Sequence, residues 1–249
     1  MSTHGTEGGP GADASRAFPG RDAAGWSSDT FLGRLPASAR SRLFATGHEV
    51  LFHPGHPLIR EGEETTTVFV LVEGMAKVTI TTSTGYTTLL AIRVAGDIVG
   101  ELAPIDRAPR SASVVAALPT RALALTGEAF LRFLEENATA SLELLRAMSQ
   151  KLRSATNARS ISGGYPVVSR LAQILRELGR SYGVAAPVGT EIIAPLSQSD
   201  LAALIGASEP AIHKALRDLR DRGAIRTGYR RIHIADDGIL AEIADPDSA

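Results

Sequence analysis

Apolar residues in the first half of the chain follow the period of two that is typical of half-buried β-strands. Ala76, Val78 and Ile80 alternate with polar residues, and the apolar run 68–72 ends at a Glu-Gly turn. Three further apolar runs are separated by turn-forming residues, at 86–92, 111–117 and 121–125. Short antiparallel strands at this spacing predict a jelly-roll β-barrel.

Helical periodicity flanks this β-rich region on both sides. The spacing of Phe31 and Leu35 indicates a short helical segment before it. After it, residues 127–161 are predicted to be helical, with a first segment at 128–136 and a longer one from Ala138 onward.

The longer helix carries an apolar stripe with the spacing by which two helices pack in parallel. Its members recur over four turns: Leu145, Met148, Leu152, Ala155 and Arg159. We expect the stripe to be the interface of a homodimer, because a helix that leaves its barrel for several turns needs a partner. The alternative is that the stripe packs on its own barrel.

A break in the helical pattern follows at residues 162–166. The paired glycines Gly163 and Gly164 disfavour helix, and Pro166 favours the first turn of a new helix. The break predicts a hinge that could reorient a C-terminal domain, and an ordinary interdomain linker is the alternative. An amphipathic helix is predicted next, from Val167 to about Tyr182.

The sequence from Ser197 onward has the order of a helix-turn-helix motif. Ser197 precedes a short apolar helix, a Gly-Ala turn follows, and Ser208 caps a second helix. Two basic strands, 224–227 and 231–234, are predicted to form a wing. The predicted core face of the second helix comprises Ile212, Ala215, Leu216 and Leu219.

Composition excludes several classes of protein. The 249 residues, 44% of them hydrophobic, can form one large or two modest domains. Without any cysteine, the chain has no disulfide, thiolate zinc site or cysteine-held iron–sulfur cluster. It has no apolar run of about 18 residues and no signal-peptide core at its start, which predicts a cytoplasmic protein without membrane partners. Residues 1–27 hold six glycines and two prolines and are predicted to be a disordered tail.

The net charge of −1 conceals an uneven distribution. Residues 166–234 hold ten Lys or Arg and six Asp or Glu, a regional charge of +4. The basic region therefore coincides with the predicted helix-turn-helix, as DNA binding requires.

Candidate catalytic and metal-binding residues are not apparent. The six histidines are scattered, and His53 and His56 lie on a loop without an acidic cluster at ligand spacing. No Ser-His-Asp order, catalytic carboxylate pair or phosphate-loop lysine is present either. We therefore expect no enzyme, no haem and no metal.

A group of candidate ligand-binding residues lies between two predicted strands, at 96–104 and 109–114. Its turn glycines let backbone N–H groups approach a phosphate, and a short helical turn after Gly100 would point its positive end at the same anion. The Arg110 guanidinium can meet two phosphate oxygens, and the Glu101 carboxylate can accept from a ribose hydroxyl. The alternative is a hairpin with a surface ion pair worth about 0–1 kcal/mol, which does not explain the glycines and prolines.

The blocks Gly-Glu-Leu-Ala at 100–103 and Pro-Arg-Ser-Ala at 109–112 resemble the phosphate-binding cassette of the cyclic-AMP receptor protein (Crp/Fnr) family of bacterial transcription regulators. The order Gln-x-Asp-Leu-Ala-x-x-Ile-Gly-Ala-Ser at 198–208 resembles the winged helix-turn-helix of the same family. The resemblance covers about residues 30–235. It implies an α+β protein in which a jelly-roll cyclic-nucleotide-binding domain, a long dimerisation helix and a winged helix-turn-helix follow one another.

The implied domain boundaries are a tail at 1–27, the barrel at 28–137, the dimerisation helix at 138–162, the DNA-binding domain at 163–235 and a C-terminal tail at 236–249. The implied function is a homodimeric regulator that binds a cyclic nucleotide, most often cAMP, as its allosteric ligand. Its implied partners are a two-fold symmetric DNA operator and RNA polymerase.

The ligand-binding residues implied by the resemblance are Val99, Gly100, Glu101, Leu102, Arg110, Ser111, Ala155 and Thr156. Members of the family often have two adjacent hydroxyl residues where this chain has Ala155 and Thr156. The choice between cAMP, cGMP and no ligand therefore stays open, and Ser111 could bond a guanine amine or a phosphate oxygen. The alternative for Thr156 is a hydroxyl bonded to its own helix.

The DNA-binding residues implied by the resemblance are Ser197, Ser208, Glu209, Pro210, His213, Lys214, Arg217, Arg226, Arg230 and Arg231. The chain departs from the family pattern Ser-Arg-Glu-Thr-Val-x-Arg, since Glu209-Pro210 replaces Arg-Glu and Lys214 replaces the later Arg. Glu209 could accept from cytosine or favour the helix start electrostatically. An unusual operator is implied. The rival from another class is a nucleotide sensor that acts on a protein partner through a helix-turn-helix that no longer reads DNA.

Overall fold

Two four-stranded antiparallel sheets form the N-terminal part of the protein in a computed structural model, which describes residues 26–81, 87–161, 165–192, 196–228 and 231–245. The first sheet has the order β1-β8-β3-β6 and the second β2-β7-β4-β5. The strands are β1 (His48–Phe52), β2 (Pro57–Ile59), β3 (Val68–Glu73), β4 (Met75–Thr81), β5 (Thr87–Val94), β6 (Ile98–Val99), β7 (Ser113–Ala116) and β8 (Thr120–Leu125).

Strand β3 shows how these sheets are packed, because it is buried on both faces. Phe69 and Leu71 join a cluster between the two sheets, together with Val114 of β7. Val68 and Val70 belong to a second cluster, in which the outer face of the first sheet meets helices. Successive side chains of a strand point to opposite faces, so one continuous apolar run serves both layers.

The helices of this part are α1 (Phe31–Arg34), α2 (Ala37–Thr46), α3 (Leu102–Asp106), α4 (Gly127–Glu136) and α5 (Ala138–Ile161). Helix α4 begins where the Thr126 hydroxyl accepts from the Ala129 N–H at 3.2 Å. Helix α3 is short and lies inside the predicted ligand-binding group, between β6 and β7.

The C-terminal part combines helices with a third sheet of order β11-β12-β10-β9. Its elements are α6 (Val167–Tyr182), β9 (Gly183–Ala185), β10 (Thr190–Ile192), α7 (Gln198–Ile205), α8 (Glu209–Asp221), β11 (Ile225–Gly228), β12 (Arg231–Ile234) and α9 (Asp237–Ala244). Within the described residues, the protein has no helix with the length and apolar character needed to span a membrane.

The structure confirms the predicted α+β architecture and corrects two details of the C-terminal part. The predicted wing is half of a four-stranded sheet, because β10 pairs with β12 through Ile192 opposite Ile232. The expected tail at 236–249 was wrong for Asp237–Ala244, which form α9. Leu240 is fully buried there, and α9 packs on α6, since the short segment still supplies an apolar face.

The expected disordered tail at 1–27 was wrong for Trp26 and Ser27, because Trp26 donates to the Val72 carbonyl at 3.0 Å and the Ser27 carbonyl accepts from the Thr30 N–H at 3.0 Å. Residues 1–25 of that tail and the hinge residues Gly163 and Gly164 lie outside the described residues.

Candidate functional site

The turn that leads into α3 is built around Gly100, whose φ is +80°. A Cβ at this position would lie 2.6 Å from Ile59 Cδ1 and 2.8 Å from Arg110 Nη1. The backbone conformation and the lack of space both require glycine. The Gly100 carbonyl can therefore approach the Arg110 side chain closely.

Arg110 is almost fully buried, at 5% exposure. Its guanidinium donates to the carbonyls of Gly100 at 2.8 Å and Thr67 at 2.6 Å, and to the Thr65 hydroxyl at 3.1 Å. Burial lowers the pKa of Arg110, while the carboxylates of Glu63 and Glu101 act in the opposite direction. A guanidinium has more N–H groups than these bonds use, so Arg110 keeps donors for an anion.

Glu101 is also buried, at 4% exposure, and its partner comes from the long helix. Lys151 of α5 donates to Glu101 Oε1 at 2.8 Å and to the Ile98 carbonyl at 2.9 Å. Lys151 was not predicted from the sequence. The signal available was its place three residues after Met148, which packs against the barrel cluster, because residues at this spacing share a helix face.

A cavity of about 140 Å³ brings these groups together. It contains six of the eight predicted ligand-binding residues: Val99, Gly100, Glu101, Leu102, Arg110 and Ser111. Val78, Arg93 and Lys151 also line the cavity and were not among the predicted ligand-binding residues. A larger cleft of about 560 Å³ lies on α3 and α4 and contains neither Glu101 nor Arg110, so the smaller cavity is the candidate site.

The turn before β6 is fixed by Asp97, next to this cavity. Asp97 Oδ2 accepts from the Val94 N–H at 3.0 Å, and the backbone of Gly96 and Asp97 bonds to Leu71 in β3. Burial raises the pKa of the Asp97 carboxyl, against the opposing effects of Arg93 and of the Val94 N–H. The carboxyl thus holds the chain reversal that presents Val99 and Gly100 to the cavity.

The two remaining predicted ligand-binding residues lie on α5. The Thr156 hydroxyl donates to the Leu152 carbonyl at 3.0 Å, the bond to its own helix that was the alternative interpretation. The described lining of the cavity does not include Thr156. The side chain of Ala155 is not among those that the structure describes.

The predicted dimer stripe of α5 divides between two environments. Leu145 and Leu152 are 62% and 69% exposed, and Leu142, one turn earlier, is 47% exposed. Met148 instead packs on the barrel cluster. The side chains of Ala155 and Arg159 are not among those that the structure describes.

The helix-turn-helix has well-defined ends. Ser197 and Asp200 form a capping box at the start of α7, with Asp200 Oδ2 2.7 Å from the Ser197 N–H. Ser197 is engaged in this cap. Gly206 makes the turn at φ +62°, and Ser208 caps α8 by accepting from the Ala211 N–H at 3.4 Å.

Helix α8 presents one face to solvent and the other to the core. The buried face comprises Ile212, Ala215, Leu216 and Leu219, as predicted. All the predicted DNA-binding residues of this region are exposed: Ser208, Glu209, Pro210, His213, Lys214 and Arg217. Pro210 lies in the first turn, where it does not interrupt the helix.

The wing arginines have different surroundings. Arg226 is exposed on β11. Arg231 is also exposed and donates to Glu191 Oε1 of β10 at 3.1 Å. Arg220 of α8 bonds the Thr227 hydroxyl at 2.9 Å and so ties the helix to the wing. Arg230 lies outside the described residues.

The part of the chain that the structure describes contains no cluster of three or more His, Asp or Glu that could hold a metal ion. His53 and His56 contact each other edge to face, with ring centroids 5.9 Å apart.

Two family models match the chain. The model for "Cyclic nucleotide-binding domain" covers residues 49–137, and the model for "Crp-like helix-turn-helix domain" covers residues 169–243. The first match contains every lining residue of the cavity except Lys151, and the second contains α7 and α8.

Several individual bacterial proteins are similar to this chain over most of their own length. The "CRP-like cAMP-activated global transcriptional regulator" of Mycobacterium tuberculosis is 29% identical over 86% of this chain and 95% of its own. The "Cyclic AMP receptor protein" of Thermus thermophilus is 26% identical over 78% of this chain and 87% of its own. Among solved structures, FixK2 from Bradyrhizobium japonicum superposes with a TM-score of 0.69 at 20% identity, over 79% of this chain and 96% of that one, which supports the fold.

Proposed function

The chain belongs to the Crp/Fnr family of bacterial transcription regulators, and from that premise we propose that it is a cAMP-responsive homodimer acting on a two-fold symmetric operator. Membership makes it a cyclic-nucleotide-binding, DNA-binding transcription regulator and not an enzyme. The choice of cAMP is supported by two relatives that are named for that nucleotide.

The observation that carries the proposal is that two buried side chains of opposite charge, Arg110 and Glu101, line one small cavity. Arg110 supplies the cation for the cyclic phosphate, and its orientation is fixed by the carbonyls of Gly100 and Thr67. Glu101 accepts from the ribose hydroxyl with the oxygen that does not bond Lys151. Lys151 adds a second cation beside the phosphate. A neutral sugar and a single anion are thereby recognised by adjacent groups.

The DNA interface is proposed to be the exposed face of α8. Side chains near its start, Ser208, Glu209 and His213, would reach base edges in the major groove. Lys214 and Arg217 would meet phosphates, as would three arginines of the wing: Arg226, Arg230 and Arg231. The exposure of this face supports the assignment, because the core takes none of its charged side chains.

The homodimer is proposed to form along α5. Leu142, Leu145 and Leu152 leave an apolar stripe open to solvent on a 24-residue helix. A second copy of the same helix, packed in parallel, would cover it. The break at Gly163 and Gly164 is then the hinge between barrel and DNA-binding domain. The barrel is proposed to span 28–137 and the dimerisation helix 138–162, and the DNA-binding domain begins at 163 and includes α9. The cytoplasm as location and RNA polymerase as a further partner belong to this proposal.

The decisive experiment is a calorimetric titration of nucleotide-free protein with cAMP and, separately, with cGMP. We expect micromolar or tighter binding of cAMP and weaker binding of cGMP. Arg110→Ala should lose cAMP binding, whereas Arg60→Ala, which removes an exposed arginine, should not. Equal cAMP affinity in Arg110→Ala would overturn the site, and tighter binding of cGMP would overturn the choice of ligand.

A further inference from the structure

The lining of the ligand cavity includes a third cation, Arg93 of β5, to which the proposed function gives no role. Arg110 is fixed by three protein acceptors, and Lys151 is paired with Glu101. Arg93 is half-buried and donates from Nη1 to the carbonyl of its neighbour Ile92 at 2.9 Å. A guanidinium has five N–H donors, so Arg93 keeps several for a bound molecule.

Strand pairing places Arg93 at one end of an apolar floor in this cavity. The floor consists of Ile59, Val114 and Val78, which lie side by side on β2, β7 and β4 and all line the cavity. Arg93 is paired with Ala76, which is two residues from Val78 on β4. Alternate residues of a strand share a face, so Arg93 lies on the same side of the sheet as the floor, about 7 Å further along the strands.

The phosphate-binding groups lie at the opposite end of this floor. Ser111 precedes Val114 by three residues, whereas Ala116, which is in the row of Arg93, follows Val114 by two. Burial lowers the pKa of Arg110 and nearby carboxylates oppose this effect, but Arg93 does not contribute, as expected of a cation at the other end. In a cyclic nucleotide whose phosphate is held by Arg110, the remote nucleobase is then the part that lies on the floor and meets Arg93.

The two purine bases offer different partners to a guanidinium. Guanine presents the acceptors O6 and N7 side by side, and a guanidinium can donate to both at once. Adenine presents N7 beside the N6 amine, so one acceptor is bound while the amine donors face the guanidinium donors. The apolar floor is equally suited to either ring. Arg93 is therefore the group in this cavity whose bonds depend on the identity of the base.

We propose that Arg93 contacts the nucleobase of the bound nucleotide and raises the affinity of the cavity for guanine relative to adenine. The inference rests on the cyclic-nucleotide function proposed above and adds a specificity-determining residue to it. Arg110 and Glu101 meet the phosphate and the ribose, which are identical in cAMP and cGMP. The preference for cAMP expected above is therefore smaller than the same cavity would have without Arg93.

The first test is a calorimetric titration of full-length Arg93→Met with cAMP and, separately, with cGMP. Methionine retains an apolar stem of similar length and removes every donor. A bidentate guanidinium contact corresponds to about 5- to 150-fold in discrimination, so cGMP should lose at least about 5-fold more affinity than cAMP. Arg93→Lys keeps the charge but not the planar fork, and it should change the ratio of the two affinities in the same direction.

The matched control is Arg121→Met, at an arginine of β8 that pairs with Glu49 and Glu73 away from the cavity. It should leave both affinities unchanged. The second test needs no variant of the protein and uses 7-deaza-cGMP, in which a C–H group replaces N7. Wild type should bind this analogue at least about 5-fold more weakly than cGMP, because a hydrogen bond from a charged donor is lost. Arg93→Met should bind the two nucleotides equally.

The outcomes separate the base contact from the function on which it rests. Equal losses of cAMP and cGMP affinity in Arg93→Met, or no loss of either, overturn the base contact and leave the nucleotide receptor intact. Equal affinities of wild type for cGMP and 7-deaza-cGMP overturn it as well. Wild type that binds neither cAMP nor cGMP overturns the proposed function and the inference together. Wild type that binds cGMP more tightly overturns the choice of ligand alone, because the role of Arg93 is measured by the change in the ratio.

Discussion

The cations of the ligand cavity and those of the DNA-reading face differ in how firmly the protein holds them. Arg110 is buried and fixed by three protein acceptors, and Lys151 is held by Glu101 and a carbonyl. Lys214 and Arg217 are exposed and have no ion pair with the described residues. A buried, pre-arranged charge suits one small ligand, whereas exposed, mobile charges suit a long and uniform phosphate backbone.

The difference is tested most strongly by Arg110→Ala, which should affect both binding and folding. The carbonyls of Gly100 and Thr67 lose their donor, and each buried unsatisfied group costs about 1–3 kcal/mol. We expect a lower free energy of unfolding, measured by denaturant titration, beside the loss of cAMP binding. Arg60→Ala should be unchanged in both measurements. Full stability of Arg110→Ala would show that the guanidinium is not part of the fold.

The next effect in size concerns the apolar stripe of α5, which is the proposed interface of the homodimer. Leu145→Glu with Leu152→Glu should convert the dimer to monomer, because both side chains are exposed in one chain and would place charges in the shared seam. Sedimentation equilibrium measures the change. Leu51→Glu, at a 74% exposed leucine of β1, is the control that should remain dimeric. A dimeric double variant would remove α5 as the interface.

A smaller and more selective effect is expected from Lys214→Ala with Arg217→Ala. Each lost phosphate contact reduces the slope of log affinity against log salt by about 0.9, so the two substitutions together should reduce it by about 1.8. Unfolding free energy should stay within about 0.5 kcal/mol of wild type, since both residues lie on the surface. DNA binding in a salt series measures the slope, and Arg132→Ala on α4 is the control. An unaltered slope would place the DNA elsewhere.

The smallest effect concerns Asp200. Its side chain is 16% exposed, so it is less buried than Arg110 of the cavity and more buried than Lys214 and Arg217 of α8. Burial acts to raise the pKa of Asp200, but the bonds from Lys77 and Ser197 outweigh it and hold the pKa below the ordinary value of an aspartate. The ion pair of Asp200 with Lys77 therefore stabilises the fold above the ordinary pKa and is lost as pH falls through the lowered value. Lys77→Gln should raise this pKa in a carboxyl NMR titration. Arg176→Gln is the control, because it should affect the pKa of Asp237 and not that of Asp200; an unmoved Asp200 would argue against the pair in solution.

Local motifs made much of the molecule predictable from sequence. Gly100, Glu101 and Arg110 were found because one short segment carries the whole group, and α8 was found because its cap and its core face are contiguous. Lys151 was missed because it reaches Glu101 from 50 residues away, on another element. Lys77 and Asp200 are 123 residues apart, and neither looks unusual in its own element.

Short elements were missed for a related reason. Strands β9 and β10 have three residues each, which is too few to show an alternation of apolar and polar positions. They become strands because β10 pairs with β12 and because Ile192 has a core to enter. Pairing of this kind is decided by tertiary contacts and not by local propensity.

The joint between α6 and α7 fastens the helix-turn-helix to the first helix of the C-terminal part. Arg170 of α6 donates to the Ile205 carbonyl at 2.7 Å in a buried position, immediately before the Gly206 turn. Helices α6, α7 and α8 also share one apolar cluster. The three helices are therefore joined into one unit, and any movement of α6 would carry α7 and the start of α8 with it. In the proposed homodimer, a rotation of α6 would therefore change the distance between the two copies of α8.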